Sequence, residues 1–177
     1  LLSRFGSPQE IFRATEREWR MAVDSSLAEA LRREPEGFRD LLARTQAWLA
    51  ADARHAVLTL GDAAYPNRLL ELPDPPLLLY AVGALHWLHA PSIAIVGTRH
   101  PTPQGKDNAR QFARELSQAG WVVVSGLAAG IDGQAHEGAL EGPCSTVAVV
   151  GTGIDKVYPH QHRKLAERIA QTGVILS

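Results

Sequence analysis

Three apolar β-runs in this chain each break off into a glycine-bearing loop just before a stretch of helical spacing, and that repetition restricts the fold more than any other feature. The runs are Ile93-Ala94-Ile95-Val96 into Gly97-Thr98-Arg99, Val122-Val123-Val124-Ser125 into Gly126-Leu127-Ala128-Ala129-Gly130, and Val147-Ala148-Val149-Val150 into Gly151-Thr152-Gly153. A fourth run, Val174-Ile175-Leu176, follows the last helical stretch. Strands that alternate with helices pair in parallel, which brings the carboxyl ends of neighbouring strands to one crevice. The expectation is an α/β chain with a doubly wound parallel sheet, whose loops gather backbone N–H groups into an anion-binding floor. Thr102-Pro103 opens the first helix, with Ala109, Phe112, Ala113 and Leu116 on its inner face and Gly120 as its stop. A second helix is expected from about Asp132 to Leu140, ending at Gly142, and a third through Leu165 and Ile169, ending at Gly173.

The residues ahead of this alternation read differently. Up to residue 54 the chain is rich in Arg, Glu, Ala, Leu and Trp and has only two glycines. Ser7-Pro8-Gln9-Glu10 has the form of a capping box and predicts a helix through Ile11, Phe12 and Trp19. Leu27, Ala30 and Leu31 make a short apolar face, and Phe38, Leu41, Leu42, Thr45, Trp48 and Leu49 a longer one, so the Trp and Phe residues are expected in a core. Between Asp62 and Pro91 five prolines forbid long helices; within that segment Leu77–Val82 reads as a short strand ended by Gly83. The expected division is a helical module over residues 1–54 and an α/β domain over 55–177. Because the chain starts abruptly at Leu1-Leu2 and stops just after a strand, both ends are expected to continue in a longer natural protein.

A formal charge of −1 over 177 residues excludes a polybasic protein, but the charge is unevenly placed. No Lys or Arg occurs between Glu115 and Asp155, whereas Arg99, Lys106, Arg110 and Arg114 precede that stretch and Lys156, Arg163, Lys164 and Arg168 follow it. Positive charge therefore belongs to the first and third loops. Cys144 is the only cysteine and forms no internal disulfide. No apolar run approaches the roughly 20 residues of a membrane span, and no signal-peptide pattern is seen, so the expected location is cytoplasmic.

Phosphate oxygens take several N–H donors plus one or two cations, and a Cβ would hold the backbone away from them. Gly97, Gly126, Gly130, Gly151 and Gly153 supply the access, and Arg99 a forked cation; the competing reading of Arg99 is a surface ion pair. Thr98 and Ser125 either donate a hydroxyl to phosphate or close their own turns. Asp132 and His136, four apart on one helix face, fit a bracing role better than acid–base or metal chemistry: the first caps loop amides and the second hydrogen-bonds back to the loop. No base accompanies Cys144, Lys156 is expected to pair with Asp155, and no catalytic residue, metal or cofactor is assigned. Loop chemistry alone leaves a strand-binding protein and a nucleotide or sugar-phosphate enzyme open. A phosphoribohydrolase would carry PGGxGTxxE, and a dinucleotide oxidoreductase GxGxxG after its first strand; neither pattern is present.

Taken together, IAIVGTR (93–99), VVSGLAAGIDGQAH (123–136) and VVGTGIDKVYP (149–159) resemble the DNA-processing protein A (DprA/Smf) family. Tyr65-Pro66, Asp74-Pro75-Pro76, Gly83 and the helical start Leu1–Phe12 fit the same pattern, so the resemblance spans nearly the whole chain. It implies a sterile-alpha-motif-like module followed by an extended Rossmann-like domain that binds single-stranded DNA, protects it and loads RecA recombinase in natural transformation. A homodimer of the full-length protein is implied as well. Read with the loop chemistry, nucleic-acid contacts are expected at Gly97, Thr98, Arg99, Ser125, Gly126, Leu127, Ala128, Ala129 and Gly130, and at His160 and Lys164. Where family members often carry Lys after Tyr-Pro, this chain has His160, with Lys164 or Arg163 in position to compensate. A histidine there is charged mainly below its reference pKa of about 6.5.

Overall fold

The computed structural model describes residues 1–177. The chain forms two compact units, Leu1–Ala47 and Trp48–Ser177.

Short helices α1 (Leu2–Phe5), α2 (Pro8–Arg13), α3 (Glu16–Ala22) and α4 (Ser25–Ala30) make up the first unit together with most of α5 (Phe38–Ala51). Ser7 starts α2 as expected, its hydroxyl accepting from the Glu10 amide at 3.2 Å. The helix does not run on to Trp19, however. Thr15 accepts from the Glu18 amide and donates its own N–H to the Glu18 carboxylate, and this reciprocal box starts α3 afresh. Across the break, Trp19 Nε1 donates to the Ile11 carbonyl at 2.7 Å. Ile11, Trp19 and Ala28 are buried, but Phe12 is 68 % exposed, and Leu27, Phe38, Leu41 and Leu42 are exposed as well. The expected aromatic core thus holds for Trp19 and fails for Phe12 and Phe38. Phe12 follows Ile11 by one position, about 100° around the helix, and so falls outside the narrow stripe a two-turn helix buries.

The second unit is a six-stranded mixed sheet of β1 (His55–Thr59), β2 (Leu78–Gly83), β3 (Ser92–Ala94), β4 (Val122–Ser125), β5 (Thr146–Val149) and β6 (Val174–Leu176), ordered β1-β2-β6-β5-β4-β3. Strands β3 to β6 run parallel, in registers such as Ile93↔Val123, Val124↔Val147 and Ala148↔Ile175. β1 and β2 join antiparallel at the β6 edge; only a 3-10 helix, Asn67–Glu71, stands between them, and β1 lies outside the strand–α-helix alternation. The crossovers are α6 (Pro103–Gln118), α7 (Ile131–Ala139) and α8 (Arg163–Thr172). Thr102 caps α6 by accepting from Gly105 N at 3.1 Å, and Gly120 ends it at φ 92°. The inner face of α6 is Ala109, Ala113 and Ser117; Phe112 sits beside that row and is 65 % exposed, contrary to expectation.

The architecture is Rossmann-like α/β, with one qualification to the double winding. From β3 to β6 the strand order advances in one direction, so right-handed crossovers place all three helices on the same face. Packing agrees. Val123 meets Ala113, Ala135 and Ala139, and Ala148 meets Leu165, Ala166 and Ile169. The opposite face, through Val122, Val147, Val174 and Leu176, is covered by Tyr65, Leu69, Trp87 and Leu88 of the proline-rich segment, which leaves an apolar groove of about 500 Å³. No helix is long and apolar enough to cross a membrane.

Candidate functional site

The loops that follow β3, β4 and β5 meet at the carboxyl edge of the sheet. The middle one, Gly126–Gly130, is held from within. Asp132, in the first turn of α7, accepts from the amides of Gly126 at 3.1 Å and Ala128 at 3.3 Å, and His136 Nε2 accepts from the Leu127 amide at 3.2 Å. An amide donates only, so Nε2 of His136 is the bare nitrogen and Nδ1 carries the proton. Nδ1–H donates to Thr146 Oγ1 at 2.8 Å, and that hydroxyl donates to the Val123 carbonyl at 2.6 Å. Burial pushes the His136 imidazole down to about 3, with the neighbouring His162 adding to the shift, so it is neutral. Leu127 adopts φ 57°, an uncommon conformation for a γ-branched residue; its side chain is buried against α8, and its carbonyl accepts from His162 Nδ1–H at 2.9 Å. Asp132 and His136 therefore brace the loop, as the sequence suggests. Both imidazole nitrogens are occupied.

This bracing changes what the glycines do. A Cβ on Gly126 would stand 2.8 Å from Asp132 Oδ2, and one on Gly97 would stand 2.7 Å from the Ile131 side chain. Gly130, at φ 88°, packs so closely on the first loop that a Cβ would lie 2.3 Å from the Thr98 carbonyl, which also accepts from the Ile131 amide. At these three positions glycine admits protein to protein, where the sequence suggested room for a phosphate. A Cβ on Gly151, by contrast, meets nothing within 4 Å.

The open space is a cleft of about 240 Å³ between Arg99, the Gly126, Ala128 and Ala129 backbone, and the third-loop residues Val150, Gly151, Thr152, Tyr158 and Pro159. Arg99 is exposed and forms no ion pair, while Arg110, Arg163 and Arg168 are paired with Glu141, Glu167 and Glu137. Its guanidinium is free for a ligand. The amides of Gly151, Thr152 and Gly153 make no hydrogen bond within the chain, whereas those of Gly126, Leu127 and Ala128 are taken. The third loop is braced by Thr152 Oγ1 donating to the Lys156 carbonyl at 2.8 Å, by the Lys156 amide donating to the Gly153 carbonyl at 2.8 Å, and by Ser177 Oγ donating to the Thr152 carbonyl at 2.6 Å. Lys156 makes no ion pair with Asp155, contrary to expectation.

Of the residues singled out in the sequence, Arg99, Gly126, Ala128, Ala129 and Gly151 line the cleft. Thr98 closes its own turn, accepting from the His100 amide at 3.1 Å, whereas Ser125 ties β4 to the end of the first strand, donating to the Ile95 carbonyl at 2.7 Å. Gly97 is exposed with its Cβ direction against Ile131, Gly130 packs on the first loop, Leu127 is buried, and His160 and Lys164 are exposed outside the lining. The lining residues that site reasoning missed are Val150, Thr152, Tyr158 and Pro159; the VYP segment that carries the last two was legible only as a motif. No three His, Cys, Asp or Glu side chains gather as a metal-ligand set.

Residues 56–177 match the family model described as DNA recombination-mediator protein A. The chain is 46% identical over 124 residues to the protein Smf of Synechocystis sp., covering 68% of this chain and 31% of that protein. It is 36% identical over 157 residues to the DNA processing protein DprA of Bacillus subtilis, covering 87% and 52%. Among solved structures, DNA processing protein A from Helicobacter pylori, studied for its single-stranded DNA binding mode, aligns with a TM-score of 0.61 and 39% identity over 70% of this chain and 55% of that one. The Streptococcus pneumoniae DprA structure aligns at 0.64 and 35% identity over 82% and 52%. The chain thus spans about a third to a half of the length of these curated relatives.

Proposed function

This chain belongs to the DNA recombination-mediator protein A family, and from that premise we propose that its cleft holds the phosphate backbone of single-stranded DNA. The observation that carries the reading is Arg99: an exposed guanidinium with no acidic partner, across a 240 Å³ cleft from the unbonded amides of Gly151 and Thr152. A fork of N–H donors facing backbone amides suits one phosphodiester. Because Asp132 and His136 occupy the amides of Gly126, Leu127 and Ala128, the donors around the cleft are Arg99, the third-loop amides and, from the middle loop, the amide of Ala129. The wider role proposed for the full-length protein is that of the family: a cytoplasmic homodimer that protects incoming single strands and loads RecA on them in natural transformation. The reading includes no chemical step, since neither His136 nitrogen is free to act as a base.

Titration of the full-length protein against single-stranded and duplex oligonucleotides at several salt concentrations tests this. Affinity for single strands is expected to fall with salt at a log–log slope of about −0.7 per neutralised phosphate. Duplex of the same length should bind more weakly, and recovered DNA should be intact. A tenfold preference among mixed-sequence strands of equal length, or equal affinity for duplex, overturns the reading.

A further inference from the structure

Two walls of the cleft come from different elements: the middle loop after β4, and the segment after β5 that reaches Tyr158 and Pro159. His162 joins them. Its main-chain amide donates to the Pro159 carbonyl at 2.9 Å, and its Nδ1–H donates to the Leu127 carbonyl, also at 2.9 Å. A carbonyl only accepts, so Nδ1 carries the proton here. The residue stands just ahead of α8, yet its side chain caps nothing in that helix and turns to the loop instead. Its ring is half-buried, and α7 is shaped to admit it. Gly133 lies inside α7, where glycine weakens a helix relative to alanine, and a Cβ there would stand 2.7 Å from His162 Cε1 and 2.9 Å from Nε2. The missing Cβ is the room the imidazole occupies. Leu127 is the residue that needs such a grip, since a non-glycine residue at φ 57° keeps that conformation only where its surroundings fix it.

We propose that His162 is a positioning residue: from outside the cleft it fixes the separation of the two walls, holding Pro159 through its backbone and Leu127 through its imidazole. This rests on the single-strand reading above for what the cleft holds, and deepens it; the clamp itself is a property of the fold. Walls set from behind need no ordering when a ligand arrives, which lowers the cost of binding. His162 is not part of the lining, so its loss lowers affinity without changing how many counterions binding releases.

The test uses the full-length protein and an oligothymidylate, read by fluorescence anisotropy at several salt concentrations, with hydrogen exchange of the free protein measured beside it. His162→Ala is expected to weaken binding about three- to tenfold, the loss of one hydrogen bond, at the parent's log–log salt slope. His162→Asn, whose amide nitrogen takes the place of Nδ1, should recover most of that loss. Arg99→Ala, by contrast, should flatten the slope by about 0.7. Gly133→Ala crowds the ring without removing it and should weaken binding at an unchanged slope; in the His162→Ala background it should have no further effect. In the free protein, His162→Ala should speed exchange in segments 126–130 and 156–162 and leave β1 and β2 as they are. If His162→Ala does not fold, Gly133→Ala decides by the same two readings. Parent-like binding by His162→Ala, a slope flattened as in Arg99→Ala, or no recovery in His162→Asn overturns the positioning role while the phosphate reading stands. Should the parent fail to bind the oligomer, the phosphate reading falls, and the exchange data then decide the clamp: unchanged rates in both segments overturn it.

Discussion

Arg99 and His136 stand on opposite sides of one loop, the first facing the cleft and the second sealed behind it. Arg99→Ala removes a charge-assisted contact and no packing, so binding of single strands should weaken by about 1.5–3 kcal/mol, roughly ten- to hundredfold, with circular dichroism and melting unchanged. His136 acts on stability. Because its folded value is depressed to about 3 against 6.5, the unfolded chain binds a proton that the native one refuses. Its contribution is present above about pH 6.5 and is lost as the pH falls toward 3. Urea unfolding from pH 8 to pH 4 should therefore show a decline that is shallower in His136→Gln, by at most about 1.4 kcal/mol per pH unit. Identical pH slopes would remove the buried imidazole from the account. At this scale the sequence was informative wherever spacing implies contact, as for Asp132 and His136 one turn apart on α7. Arg99's freedom from any acid was not legible, since it depends on which carboxylates other elements bring near. The same holds for Gly126, whose neighbour Asp132 is a protein carboxylate rather than a ligand.

Among elements, the three strand–loop–helix units were readable because a buried parallel strand must be almost wholly apolar and each helix carries its own stop signals. Thr102, Gly120 and Gly173 sit at helix ends as expected. What local rules missed was competition: Thr15 restarts a helix that apolar spacing alone would have continued, and β1 pairs across an antiparallel edge that no alternation announces. The loops themselves differ in a way that substitution can expose. Gly130→Ala forces a Cβ against the Thr98 carbonyl and a side chain into φ 88°, and should cost about 1–3 kcal/mol or more. Gly151→Ala meets only open space and should melt with the parent. Thermal unfolding of the two variants decides; equal losses would mean that the middle loop is not the rigid partner described.

At the scale of the whole molecule the two units are unequal. Leu1–Ala47 buries only Ile11, Trp19 and Ala28 among its apolar residues, whereas Trp48–Ser177 holds all three core clusters. Amides of residues 1–47 are therefore expected to exchange with solvent well before those of β4, β5 and β6, by mass spectrometry of peptides at neutral pH. Coincident exchange would make the chain a single cooperative body. The one-directional order of the parallel strands has a thermodynamic consequence too. Since α6, α7 and α8 all cover one face, the side chains of Leu69, Trp87, Val124 and Val149, half-buried or exposed, already border a groove open to water before the sheet unfolds. Surface that is wet in the native state cannot become newly wet on unfolding, so both the urea dependence of stability and the heat-capacity increment of this unit should be smaller than its length would suggest.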